Sequence, residues 1–244
     1  MKVEIKKTVS IKNADNWKDY APPKDAKTQW KDGRSAKELA RFVTSEEFIP
    51  FLRAFLKDLG IKNQDFEAEP EAETYFPEKE FGKSGPRNHD LLMIGEDCVI
   101  GFEAKVSEGF GNKTIAEEWE KTDSKNKKEK RIPGLVNFLS QRTYDRFEDV
   151  PDSAKSLMYQ LFTATAGTVI EAKKKGKKTA LVLILVFTGN VDKEPNYDAH
   201  IKKNNSDFDA FVQEFFPGGD ADIQGIHCLI RKVEVTIKSP YCLD

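Results

Sequence analysis

The chain has 244 residues, 39% of them hydrophobic, which suits a single domain over 1–244 with a core of its own. Lys plus Arg number 39 against 41 for Asp plus Glu, a net charge of −2, so overall charge advertises no polyanionic partner and any basic surface must be local. Three scattered cysteines (Cys98, Cys228, Cys242) and three scattered histidines argue against a disulfide framework or zinc cluster; with no leader-like segment and no apolar run near 18 residues, a soluble cytoplasmic protein with no membrane partner is expected.

Residues 2–11 predict a short strand with Val3, Ile5, Val9 and Ile11 on one face. Residues 12–34 are polar and loop-like, with Pro22-Pro23 and Gly33. The aromatics Trp17, Tyr20 and Trp30 in such a segment either stack on bases or pin it to the core, and the area they bury favours pinning. Ser35-Ala-Lys-Glu38 has the form of a capping box and predicts a helix start ahead of Leu39, Phe42 and Val43. Thr44-Ser-Glu-Glu47 repeats the signal ahead of Phe48, Phe51, Leu52, Phe55 and Leu56, and Gly60 ends that helix. Glu38 and Glu47 each have a local use as the reciprocal partner of a cap. Residues 65–80 are acidic, and Phe66-Glu-Ala-Glu-Pro70 predicts the first strand of the sheet or its approach. Residues 80–88 are glycine-rich; Ser84 and Arg87 there either touch a phosphate or are simply solvated, and Glu71 is one more carboxylate upstream.

The next stretch carries the chemistry. Two apolar strands, 91–94 and 98–106, are joined by a turn at Gly95-Glu96-Asp97. Period two places Glu103 and Lys105 on one face with Val99 and Gly101, and Ile100, Phe102, Ala104 and Val106 on an apolar opposite face. An even-numbered turn sets Asp90 directly across from Glu103, with Cβ atoms about 5 Å apart; a three-residue turn pairs it with Phe102 instead. Two carboxylates that close repel unless a cation lies between them, and a divalent metal with oxygen ligands is the simple candidate. Lys105 could then hold a water, a hydroxide or a phosphate oxygen beside it. The plainer reading of the same residues is an Asp at a strand entrance and a Glu–Lys pair on a solvated sheet face.

After Lys105, the turn 106–112 leaves the strand end beside these side chains. Residues 113–121 predict a helix with Ile115 and Trp119 one turn apart, and the lysine-rich run 121–131 fits either a phosphate backbone or a solvated loop. A short helix is expected over 134–140 and the longest one over 153–175, where the small residues 164–167 predict close packing on a sheet and Gln160 follows Tyr159. Residues 179–188 are continuously apolar and predict a central strand covered on both faces. A helix over 206–216, stopped by Pro217-Gly-Gly, and an extended segment over 225–238 finish the chain.

Asp90, twelve intervening residues and Glu103-Ala104-Lys105 together resemble the signature of the PD-(D/E)xK nuclease superfamily, with His89 where the literal motif has proline. The element order over residues 35–190 is similar to the α-βββ-α-β core of that superfamily, and Gly33-Arg-Ser-Ala-Lys-Glu-Leu-Ala40 with Tyr159-Gln-Leu-Phe-Thr-Ala-Thr-Ala166 resembles an uncharacterised bacterial branch. The resemblance implies an α/β restriction-endonuclease-like fold, a mixed central sheet flanked by helices, with 1–34 and 200–240 as additions. It implies that Asp90, Glu103 and the main-chain carbonyl of Ala104 hold Mg²⁺ or Mn²⁺. Lys105 would orient or help deprotonate the attacking water, and Gln160 would stand beside the site on the following helix. The expected activity is metal-dependent phosphodiester hydrolysis, with nucleic acid, DNA foremost, as the partner; a homodimer is compatible. The alternative is a non-catalytic nucleic-acid- or protein-binding module of the same fold that keeps Asp, Glu and Lys as a structural ion cluster.

Overall fold

Continuous apolar strands need cover on two faces, and the longest such run sets the architecture. In the computed structural model, which describes residues 1–5, 11–23, 26–83, 85–106, 108–120, 130–189 and 197–237, β7 (Thr179–Gly189) lies inside a seven-stranded sheet, buried from Ala180 to Phe187. The other strands are β1 (Val3–Ile5), β2 (Phe66–Pro70), β5 (Leu91–Ile94), β6 (Cys98–Lys105), β8 (Asp220–Ile223) and β9 (Ile226–Ile237). Their order is β1-β2-β5-β6-β7-β9-β8. The pairs β1–β2, β6–β7 and β7–β9 are parallel; β2–β5, β5–β6 and β8–β9 are antiparallel. A separate two-stranded pair joins β3 (Glu73–Thr74) to β4 (Arg87–Asn88). The fold is α/β, with a mixed central sheet flanked by helices.

Period two splits the sheet's side chains between two apolar layers. On one side, Ile100, Phe102 and Ala104 of β6 and Leu181, Leu183 and Leu185 of β7 pack with α3 (Ser35–Val43) and α4 (Phe48–Asp58) through Leu39, Phe48 and Leu52. On the other, Val99, Val182 and Ile184 pack with α7 (Arg131–Ser140), α9 (Tyr159–Lys174) and α10 (Tyr197–Phe215) through Leu135, Phe162 and Phe211. The shorter helices are α1 (Ala14–Tyr20), α2 (Ala26–Gln29), α5 (Glu78–Phe81), α6 (Ile115–Glu120) and α8 (Asp152–Lys155).

Several expectations need correction. The segment 12–34 is not a loop throughout: it contains α1 and α2, because the Asn13 side chain caps α1 by accepting from the Asn16 N–H at 2.9 Å and Trp17, 2% exposed, is buried as an anchor. Tyr20 and Trp30 pack against the same layer, so the aromatics do pin this segment. Ser35 makes no cap; α3 starts after Arg34, while Glu38 Oε1 accepts from the Gly33 N–H at 2.8 Å and pairs with Arg41. Thr44 closes α3, its hydroxyl donating to Ala40 O at 2.7 Å, and does not cap α4. Gly60 (φ +69°) ends α4 as expected, with the Ile61 N–H donating to Leu56 O at 2.9 Å.

The helix expected over 153–175 is two helices, α8 and α9. Between them the chain extends so that the Ile115 N–H donates to Leu157 O and the Tyr159 N–H to Lys113 O. The longest described helix is α10, with 19 residues against 16 in α9. The sequence reading missed β8, a short polar edge strand turned into β9 through Gln224 and Gly225, both at positive φ. Val9, Ser84, Cys242 and residues 121–129 of the lysine-rich run lie outside the described residues. Among the described residues no helix is long and apolar enough to cross a membrane.

Candidate active site

Parity of the β5–β6 turn decides whether a site exists. The observed register pairs Leu91 with Phe102, Leu92 with Gly101, Met93 with Ile100 and Ile94 with Val99. That is the even register; Asp90 is the first residue beyond its end, and continuing the register by one step would set it across from Glu103. The turn is closed by the Gly95 N–H donating to Cys98 O at 2.9 Å, and Gln64 Oε1 accepts from the Asp97 N–H at 2.9 Å. A Cβ at Gly95 would overlap the ends of the Gln64 and Phe66 side chains, which would have to shift.

Glu103 and Lys105 are 1% and 5% exposed on the face expected for them. Glu103 Oε1 accepts from Lys105 Nζ at 2.7 Å and from Gln160 Nε2 at 2.6 Å, and Oε2 pairs with the Arg87 guanidinium. Asp90 Oδ2 accepts from the Ala104 N–H at 2.7 Å, tying the carboxyl to the β6 backbone. The structure thus brings Asp90, Glu103, Lys105 and Gln160 together and sets Ala104 between Glu103 and Lys105 on β6. Lys105 Nζ also lies 5.8 Å from the centre of the Phe110 ring, contributed by the turn after β6.

Gln160 reaches Glu103 because α9 lies unusually close to β6. At Gly101 a Cβ would collide with Thr168 Oγ1, and at Gly167 it would meet the His89 ring at 3.1 Å and Arg87 Cγ at 3.2 Å. The bare backbone at these two positions lets the first turn of α9 overhang the strand end. His89, 1% exposed, is within 3.0 Å of Thr74 Oγ1. Burial, aided by Arg87, pushes its imidazole down to about 3, so it is neutral packing and not a proton carrier.

The electrostatics follow from crowding of four ionisable groups. Burial pushes Glu103 up, but the charges and hydrogen bonds of Lys105 and Arg87 outweigh it and the carboxyl ends below its ordinary range. Burial pushes Lys105 down, but Glu103, Asp90 and Glu108 outweigh it and the ammonium ends above its ordinary range. Asp90 has no such surplus: burial and then Glu103 push it up to about 8, against the opposing pull of Lys105 and the Ala104 amide. At neutral pH the set is a charged Glu103 between two cations, with a protonated Asp90 alongside.

These donors fit a hard divalent cation in part. Asp90 and Glu103 supply two carboxylates, and Gln160 Oε1 is a buried amide oxygen with no hydrogen-bond partner. Both Glu103 oxygens are already engaged, however, and among the described residues no group of three or more His, Cys, Asp or Glu could hold a metal. Beside the site is a cleft of about 1030 Å³, lined by Asp90, Arg87 and Gln160 and by Tyr20, Pro22 and Pro23 of the N-terminal segment. Glu71 also lines the cleft, whereas Glu38 is spent on Gly33 and Arg41. Arg87 as the partner of Glu103 was not foreseen; the signal lay in the charge count, since Asp90 and Glu103, outside the turn, were matched by the single lysine Lys105.

A family model described as Domain of unknown function (DUF6946) matches residues 10–238. No curated protein and no solved structure matches the chain.

Proposed function

We propose that this chain, which belongs to the DUF6946 family, is a metal-dependent phosphodiesterase of the PD-(D/E)xK type acting on nucleic acid, DNA foremost. The observation that carries the reading is the even hairpin register, which ends at Leu91–Phe102 with Asp90 the next residue on one strand and Glu103 on the other; Lys105 is two residues on, and Asp90 lines the cleft. The order α3–α4, then β2, β5 and β6, then α9 and β7 supports an α-βββ-α-β core.

Asp90, Glu103 and the Ala104 carbonyl, with Gln160 Oε1 beside them, would hold Mg²⁺ or Mn²⁺, which when bound stabilises charge growing on phosphoryl oxygens and acidifies water. Lys105 is held protonated by Glu103, so it suits orienting the attacking water and offsetting negative charge more than abstracting a proton. Gln160 Nε2 fixes Glu103 Oε1 and so limits how that carboxylate turns. The ammonium lies over the Phe110 ring and Lys105 is 5% exposed, so little bulk water reaches it.

One observation favours a second reading, a non-catalytic binding module. The Arg87, Lys105 and Gln160 contacts already satisfy Glu103, as a structural ion cluster would. Cleavage of supercoiled plasmid and of single-stranded DNA, with Mg²⁺, Mn²⁺ or EDTA, separates the two. Metal-dependent cleavage that falls by about 10²–10³-fold in Glu103→Ala and in Lys105→Ala is expected. Wild-type rates in Lys105→Ala would sink its assigned role, and a folded protein that cleaves no DNA or RNA would favour the binding module.

A further inference from the structure

We infer that Arg87 is the occupant a divalent cation must displace from Glu103, and that its freed guanidinium then takes a phosphate oxygen of the substrate. One side chain thereby couples metal loading to substrate binding. The inference rests on the reading of Asp90 and Glu103 as cation ligands.

A cation bridging Asp90 and Glu103 needs a Glu103 oxygen. Oε1 already accepts from Lys105 and Gln160, whereas Oε2 pairs with Arg87. Of the two cations, Lys105 is the one that cannot leave: it is 5% exposed and projects from β6 itself. Arg87 projects from the two-residue strand β4 and lines the cleft, its side chain 12% exposed, so a change of side-chain torsions carries the guanidinium outward. Its stem packs against Gly167, where a Cβ would meet Arg87 Cγ at 3.2 Å.

Two further facts point the same way. Arg87 Nε is buried with no hydrogen-bond partner, so the pair with Glu103 leaves part of the five-donor fork unmet. A phosphate facing the cleft offers that fork a bidentate acceptor, as a single carboxylate oxygen does not. A divalent cation arriving between Asp90 and Glu103 would also stand beside two positive side chains. Repulsion in a site of low dielectric then drives out the movable one.

Calorimetric titration of the full chain with MnCl₂ and with MgCl₂ tests this directly, without reference to turnover. Arg87→Met keeps the stem over Gly167 and removes the charge; Arg87→Gln keeps donors without charge. Both are expected to bind the cation about tenfold tighter than wild type, a 1.4 kcal/mol gain, while Arg87→Lys stays near wild type. Arg34→Met, which removes another charge lining the same cleft, is expected to leave the affinity unchanged. In a Lys105→Ala background with cation present, anisotropy of a short single-stranded oligonucleotide should show weaker binding for Arg87→Met, opposite to its effect on the cation. Equal or weaker cation affinity in either folded charge-removing variant overturns the displacement, as does equal tightening in Arg34→Met. If no variant and no wild-type protein binds either cation, the ligand reading of Asp90 and Glu103 falls with it.

Discussion

Asp90 is the residue at which the charge balance of the site fails, and stability should report it. Its carboxyl sits at about 8 in the fold, driven by burial and by Glu103, against about 3.9 in an unfolded chain. The sign follows from linkage. Below pH 4 both states are protonated and the shift contributes nothing. Between the two values the folded state keeps a proton that the unfolded state has released, so stability falls as pH rises through that window and levels off above 8. Asp90→Asn cannot ionise, and its amide oxygen can still accept from the Ala104 N–H. Metal-free Asp90→Asn should therefore be more stable than wild type by about 1–3 kcal/mol at pH 7.5 and nearly equal to it at pH 4. Urea unfolding at the two pH values measures this. An Asn variant less stable than wild type at pH 7.5 would show that the ionised carboxyl is already well compensated. Glu103 behaves oppositely: Lys105 and Arg87 hold it below its ordinary range, so its contribution is present at neutral pH and lost on acidification.

At the scale of elements, the site depends on how closely a helix lies on a strand. Gly101 of β6 faces Thr168 of α9, and an added Cβ would overlap its hydroxyl oxygen. Gly101→Ala should destabilise the fold by about 1–3 kcal/mol, as over-packing does, and lift the first turn of α9 from Glu103. Thr168→Ala removes the overlapping oxygen, so the double variant should recover part of the loss; strictly additive losses in a thermal-unfolding cycle would place the strain elsewhere. This contact was half legible. The small residues 164–167 predicted close packing, but nothing local to β6 marked Gly101 as the facing position. The hairpin was legible because strand period and turn parity are local: the register is the even one, and Glu103 and Lys105 lie away from the layer of Ile100, Phe102 and Ala104. Helix starts were less legible. Ser35 and Thr44 look like caps in sequence, yet Arg34 and Glu47 stand at those positions, because buried Leu39 and Phe48 fix where each helix docks. The break between α8 and α9 was invisible, since the partner of Met158 is Thr114, far away in sequence. Arg87 was missed as the partner of Glu103 for the same reason: the pair spans two different sheets.

At the scale of the molecule, the N-terminal segment contributes Tyr20, Pro22 and Pro23 to the lining of the cleft. These residues are the end of α1 and the chain just after it, and α1 is anchored by Trp17 in the layer that holds Leu39 and Ala40 of α3. The chemistry-bearing residues lie just before β5 and on β6 and α9, on elements other than α1. Removing the Trp17 anchor should therefore damage binding before chemistry. Trp17→Ala is expected to cost about 3–5 kcal/mol, within what a domain with 5–15 kcal/mol of stability can survive at 25 °C. Phe211→Ala, at a fully buried position of α10 in the opposite layer, should cost a similar amount and serves as the control for lost stability alone. With both variants folded, Trp17→Ala should raise KM for a single-stranded substrate several-fold while kcat changes little. Phe211→Ala should leave both near wild type. If Trp17→Ala lowers kcat and leaves KM unchanged, the N-terminal segment acts on the geometry of the hairpin and does not form a wall for the substrate. If both variants behave alike, the effect is global loosening, and substrate contact is confined to the residues around Asp90, Arg87 and Gln160.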